Sequence, residues 1–174
     1  MQLGQIAQKL EAMGVKTLGV VATDAERARL YFRFRRPRMP VGADPSLATH
    51  RAFGLPNVGP PTPEAEEVLE RAAARELGLT GPATEGALAR FARHDGYDVT
   101  PADEADFARH GAQLVGQFLV DREGVVRWAN VECARDGIEG LGKLPSEDEV
   151  LAAARALPHA GMPGTSMPQR GDRT

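Results

Sequence analysis

The chain has 174 residues, 42% apolar and 26% charged, and its 21 Lys and Arg against 24 Asp and Glu leave a formal charge of −3. That length fits one domain of ordinary size, and an acidic balance excludes nucleic-acid binding driven by charge alone, which needs a basic surplus. No segment approaches the roughly 20 apolar residues that span a bilayer, Met1 to Gln5 lack the basic start and apolar stretch of a signal peptide, and one cysteine, Cys133, excludes an internal disulfide framework or a multi-cysteine zinc site. A cytoplasmic, reducing setting is the expectation that follows.

The chain opens in a helical pattern. Leu3, Ile6, Ala7, Leu10 and Met13 share one face, and Gly14 is placed to stop the helix. Val15 to Ala22 is short and mostly apolar, with the valines of a buried strand in a parallel sheet. Thr23 with Glu26 three residues on makes a capping box for a helix over 24–35, which Pro37 and Pro40 terminate. Met39 to Ala43 reads as a short extended piece. Asp44 and Pro45 then open another helix, as N-cap and first residue, and Gly54 closes it. This alternation predicts an α/β layer fold with a largely parallel sheet.

Residues 55–63 carry four prolines and read as a linker into a helical insert covering about 60–112. Within the insert, Pro63 to Leu77 has helical spacing with its acids early, where they oppose the positive end of the helix dipole. Thr84 to Arg93 is a second helix. Thr100 as cap with Pro101 first starts a third. Strands return after Gly111. Leu114 to Val120, the turn Asp121 to Gly124, and Val125 to Val131 make a hairpin in which Gly124 supplies a positive φ. Ser146 caps a final helix to Leu157, with Glu149 three residues later. The domain is expected to cover 1–157. Residues 158–174, rich in Gly, Pro and Met without a period, are expected to be a disordered tail.

Two stretches carry a resemblance. The first is Gly14-Val15-Lys16-Thr17-Leu18-Gly19-Val20-Val21-Ala22-Thr23, a helix ending in arginines, Met39-Pro40-Val41-Gly42-Ala43-Asp44-Pro45, and then Phe53-Gly54-Leu55. The second is the hairpin Gly116-Gln117-Phe118-Leu119-Val120-Asp121-Arg122-Glu123-Gly124-Val125-Val126-Arg127-Trp128. In this order they resemble a peroxiredoxin, in particular the alkyl-hydroperoxide-reductase/thiol-specific-antioxidant (redoxin) branch of the thioredoxin-like superfamily. The resemblance covers about residues 1–56 and 113–157, and the insert lies outside it. It implies a thioredoxin-like fold and a thiol peroxidase or oxidoreductase activity, with a peroxide or a thiol reductant as substrate.

The resemblance also implies a first, central strand ahead of the opening helix and a peroxidatic cysteine at that helix's N-terminus. Both are expected upstream of Met1, so the chain as written is expected to be inactive. A helix N-terminus and a nearby Arg lower the pKa of such a thiol. The family's Arg stands three residues before the hairpin Phe, where this sequence has Val115, and Val115 is not the cis-proline of the wider superfamily either.

The remaining candidates are read from the residues. Cys133 is either a reactive thiol or a small residue packed after a strand, and the lack of a neighbouring His favours packing. His50, His94, His110 and His159 show no metal-ligand spacing, and no glycine-rich phosphate loop occurs, so no metal or cofactor is expected. The run Arg33-Phe34-Arg35-Arg36-Pro37-Arg38 suits the solvated end of a helix better than an anion site. Tyr31, Phe32 and Phe34 read as packing residues, and Trp128 as half-buried beside the last helix. The alternative function is a non-catalytic thioredoxin-like binding module. In that reading the insert at 60–112 meets a protein partner or a second copy of the chain.

Overall fold

A computed structural model describes residues 2–33, 36–58, 62–78, 87–94 and 96–158. Helix α1 (Gln2–Ala12) ends as its sequence predicts. Gly14 sits at φ 79°, its amide donates to Glu11 and the Val15 amide donates to Leu10. This is the paired closure of a Schellman motif, and the left-handed residue favours glycine.

Strand β1 (Gly19–Val21) follows, shorter than the eight residues its apolar run suggests. It pairs in parallel with β2 (Val41–Ala43), Gly19 opposite Val41, across helix α2 (Ala25–Phe32). Asp24 caps α2, not Thr23: its carboxylate accepts the Arg27 amide at 2.8 Å. The expected box is one residue out of register, because a carboxylate both accepts an orphan amide and complements the helix dipole. The helix ends at Phe32, and residues 34–35, where it was expected to end, lie outside the described residues.

Helix α3 (Ala48–Ala52) also starts later than expected. Residues 44–47 form a turn closed by the Leu47 amide on the Asp44 carbonyl, and Leu47, at φ 57°, takes the N-cap position. Asp44 still serves the helix start. Its Oδ2 accepts the Thr49 amide at 2.7 Å and its Oδ1 accepts the Ser46 hydroxyl at 2.8 Å.

The expected linker holds a strand. β3 (Asn57–Val58) pairs antiparallel with β4 (Ala112–Gln113), Asn57 opposite Gln113. The Pro56 carbonyl additionally accepts the Leu114 amide and the Gln113 side-chain amide. Both ends of the insert are therefore clamped together at its base. Inside it, α4 (Pro63–Leu77) has the expected bounds, with the Thr62 hydroxyl capping the Ala65 amide and Gly78 left-handed at its end. α5 (Ala87–His94) packs against α4, and Arg90 pairs with Glu70; the expected start of α5 at Thr84 lies outside the described residues. α6 (Pro101–His110) has the reciprocal capping box of Thr100 and Asp103.

The hairpin joins β5 (Gly116–Val120) to β6 (Val126–Val131), Gly116 opposite Val131 and Leu119 opposite Trp128, with an irregularity between Leu119 and Val120. Asp121 Oδ1 accepts the Glu123 and Val125 amides, and Gly124 at φ 81° closes the turn. After a 3-10 turn at Gly137–Gly140 comes α7 (Glu147–Arg155), capped by the Ser146 hydroxyl on the Glu149 amide and two residues shorter at its C-terminus than expected.

One hydrophobic cluster joins these pieces. Ile6 and Leu10 of α1, Leu119 of β5, and Val150, Leu151 and Ala154 of α7 are buried together, with Val15 and Trp128 at the rim. The architecture is mixed α/β with small sheets. The largely parallel sheet is corrected: among the described residues there are three two-stranded ladders, one parallel and two antiparallel. Of the expected tail, residues 159–174 lie outside the described residues.

Candidate functional site

Strand β6 leads directly to Cys133. The Ala134 amide donates to the Val131 carbonyl at 3.1 Å, closing a tight turn in which Cys133 has φ 63°. That position of a turn normally takes Gly or Asn, and another residue there costs about 1 kcal/mol. Gly140 permits the close approach of the 3-10 turn, since a Cβ at that residue would stand 3.2 Å from the Cys133 Cα. The thiol borders a shallow cleft with Asn130, Arg135, Asp136, Lys143 and Glu149.

The electrostatics oppose a thiolate. Burial pushes the Cys133 thiol above its ordinary value, and the neighbouring Glu132 carboxylate pushes it the same way. A reactive cysteine needs the reverse, a positive environment that favours the anion. Glu132 itself is buried and braces the site. Its Oε2 accepts the Val115 amide at 2.9 Å and its Oε1 accepts the Gly142 amide at 2.7 Å. Val115, at the position where the family resemblance expects an Arg, is 45% exposed beside this brace.

The other sequence candidates stay apart. His50 is buried, and its Nδ1, 3.7 Å from Asp44 Oδ2, has no hydrogen-bond partner among the described residues. Burial would raise the Asp44 carboxyl, but the Thr49 amide, the Ser46 hydroxyl and the Ala48 amide outweigh it and hold the group far below the usual range. His94 is exposed in the last turn of α5, His110 is in the last turn of α6, and His159 lies outside the described residues. Among the described residues, no three or more His, Cys, Asp or Glu side chains gather as a metal site would require. Of the arginine run, Arg33, Arg36 and Arg38 are exposed, and Arg38 donates to the Gln8 side chain at 3.0 Å.

Two further features frame the site, the first of them without a sequence signal. The first is a tie between insert and core. Arg27 of α2 pairs with Asp103 of α6 and donates to the Ala102 carbonyl at 2.7 Å. The Tyr97 hydroxyl donates to Asp103 at 2.6 Å, and the Tyr97 ring meets Tyr31 edge-on at 5.3 Å. Burial would raise the Asp103 carboxyl, yet the bonds from Tyr97, Thr100 and Arg27 bring it down to about 2. The capping position of Asp103 is readable from sequence, but its partner 76 residues away is not.

The second feature is a pair of open strand edges. Gly19 and Val21 direct their backbone groups to β2, which the Gly19 amide on Pro40 and the Asp44 amide on Val21 show; Val20 between them faces the other edge. On β5, the Val115 carbonyl accepts the Glu132 amide, so the ladder falls on 115, 117 and 119 and leaves Gly116 and Phe118 facing outward. Among the described residues β1 pairs with β2 alone and β5 with β6 alone. Leu18 beside one edge is 65% exposed.

No helix among the described residues is long and apolar enough to cross a membrane. No protein-family model matches the chain, and no curated protein and no solved structure matches it significantly.

Proposed function

We propose that the chain is a redoxin-type scaffold of the thiol peroxidase or thiol oxidoreductase class, and that Cys133, its one cysteine, does not serve as the peroxidatic thiol. The observation that carries this reading is the pair of open edges on β1 and β5, with α1 packed over the hairpin and α7. In the redoxin arrangement a strand lies between these two and delivers its cysteine to the first turn of the following helix, which here is α1. The amides of that turn favour a thiolate. The thiolate attacks one peroxide oxygen, the S–O bond forms as the O–O bond breaks, and the departing alkoxide or hydroxide takes a proton from water, leaving a sulfenic acid and an alcohol or water.

The test compares peroxide turnover, with a thiol reductant, by this chain and by one in which an extended segment ending in cysteine precedes α1. Turnover by the longer chain alone is expected. Equal turnover by both, turnover by neither, or turnover by this chain that Cys133→Ser abolishes would each overturn the reading.

A second reading, a non-catalytic binding module, is favoured by the construction of the insert. β3 and β4 clamp its ends, Arg27 holds α6, and α5 packs on α4. Deleting 60–110 and repeating a co-purification tests it: partners lost on deletion support it, and unchanged partners refute it.

A further inference from the structure

We draw no further inference here: the strongest candidate, the buried Asp44–His50 pair between β2 and α3, carries nothing, because the carboxylate is committed to the Ser46 hydroxyl and the Thr49 amide and the unpartnered His50 Nδ1 lies against that same carboxylate, a tie that fixes the loop.

Discussion

Glu132 holds Val115 by both of its backbone polar groups. The Glu132 amide donates to the Val115 carbonyl and the Glu132 carboxylate accepts the Val115 amide, each at 2.9 Å. The other carboxylate oxygen accepts the Gly142 amide, so one buried side chain joins the foot of the hairpin to the loop after the 3-10 turn. Glu132→Ala removes the acceptor of both amides. Val115 and Gly142 are exposed residues, so water takes over in part and each lost bond costs about 1 kcal/mol; a urea titration should show that loss as a lower midpoint with an unchanged slope.

Glu132 also sets the state of the neighbouring sulfur. Its carboxylate is the charged contribution that, after burial, raises the Cys133 thiol. Glu132→Gln keeps an oxygen for one amide and removes the charge, so the thiol should ionise at lower pH. The rate of alkylation by iodoacetamide as a function of pH measures this directly. A profile that does not move would mean that burial alone governs the group.

Asp103 makes the tie between insert and core pH-dependent. Its folded value is about 2 against an ordinary 3.8. A carboxyl depressed in this way contributes its full stability above 3.8 and loses it as pH falls toward 2. The difference is worth roughly 2 kcal/mol, at 1.36 kcal/mol per pH unit. Asp103→Asn should therefore be less stable than the parent near neutral pH, and the gap should close on acidification through that window. Urea melts of both proteins across it provide the check.

Gly116 is held to glycine by contact. A Cβ there would run into the Leu55 side chain and come within 2.8 Å of the Phe118 ring. Phe118 in turn lies against Phe53, ring centroids 4.8 Å apart. Gly116→Ala should push both side chains aside at a cost of about 1–3 kcal/mol, typical of overpacking. An altered near-ultraviolet dichroism, reporting the displaced ring pair, would accompany the lowered stability.

Where order was decided locally, the residues announced it. The Pro63 and Thr100-Pro101 starts, the Gly14 stop, the Asp121–Gly124 turn and the Ser146 cap all stand where they were expected. Each depends on groups only a few residues apart, a side chain reaching an amide or, at Gly14, a left-handed backbone. The misreadings have the same origin. Thr23 and Asp24 both qualify as caps, and the local pattern does not rank a hydroxyl against an adjacent carboxylate; Asp44 caps through a turn instead of directly. The β3–β4 clamp and the Arg27–Asp103 pair escaped because their partners lie more than fifty residues apart. At the Cys133 turn the missed signal was conformational, since a left-handed cysteine carries no mark in composition.

The open edges make a prediction for backbone exchange. A two-stranded ladder is marginal in water unless other elements support it, and only Leu119 of β5 joins the buried cluster. Along β5, amides that point to β6 should resist exchange while those facing the free edge should not. Hydrogen exchange followed by NMR should thus show Gln117 and Leu119 protected and Gly116 and Phe118 fast, with Val20 fast on β1. The same edges expose unpaired donors and acceptors, so thermal unfolding should be broad and should begin at low temperature. In the longer chain with a strand ahead of α1, the proposed arrangement requires Val20 and Phe118 to become protected together and the melt to sharpen. Slow exchange at both amides in the present chain, with a sharp high-temperature melt of the monomer, would show that the edges are already covered and would remove the support for a missing central strand.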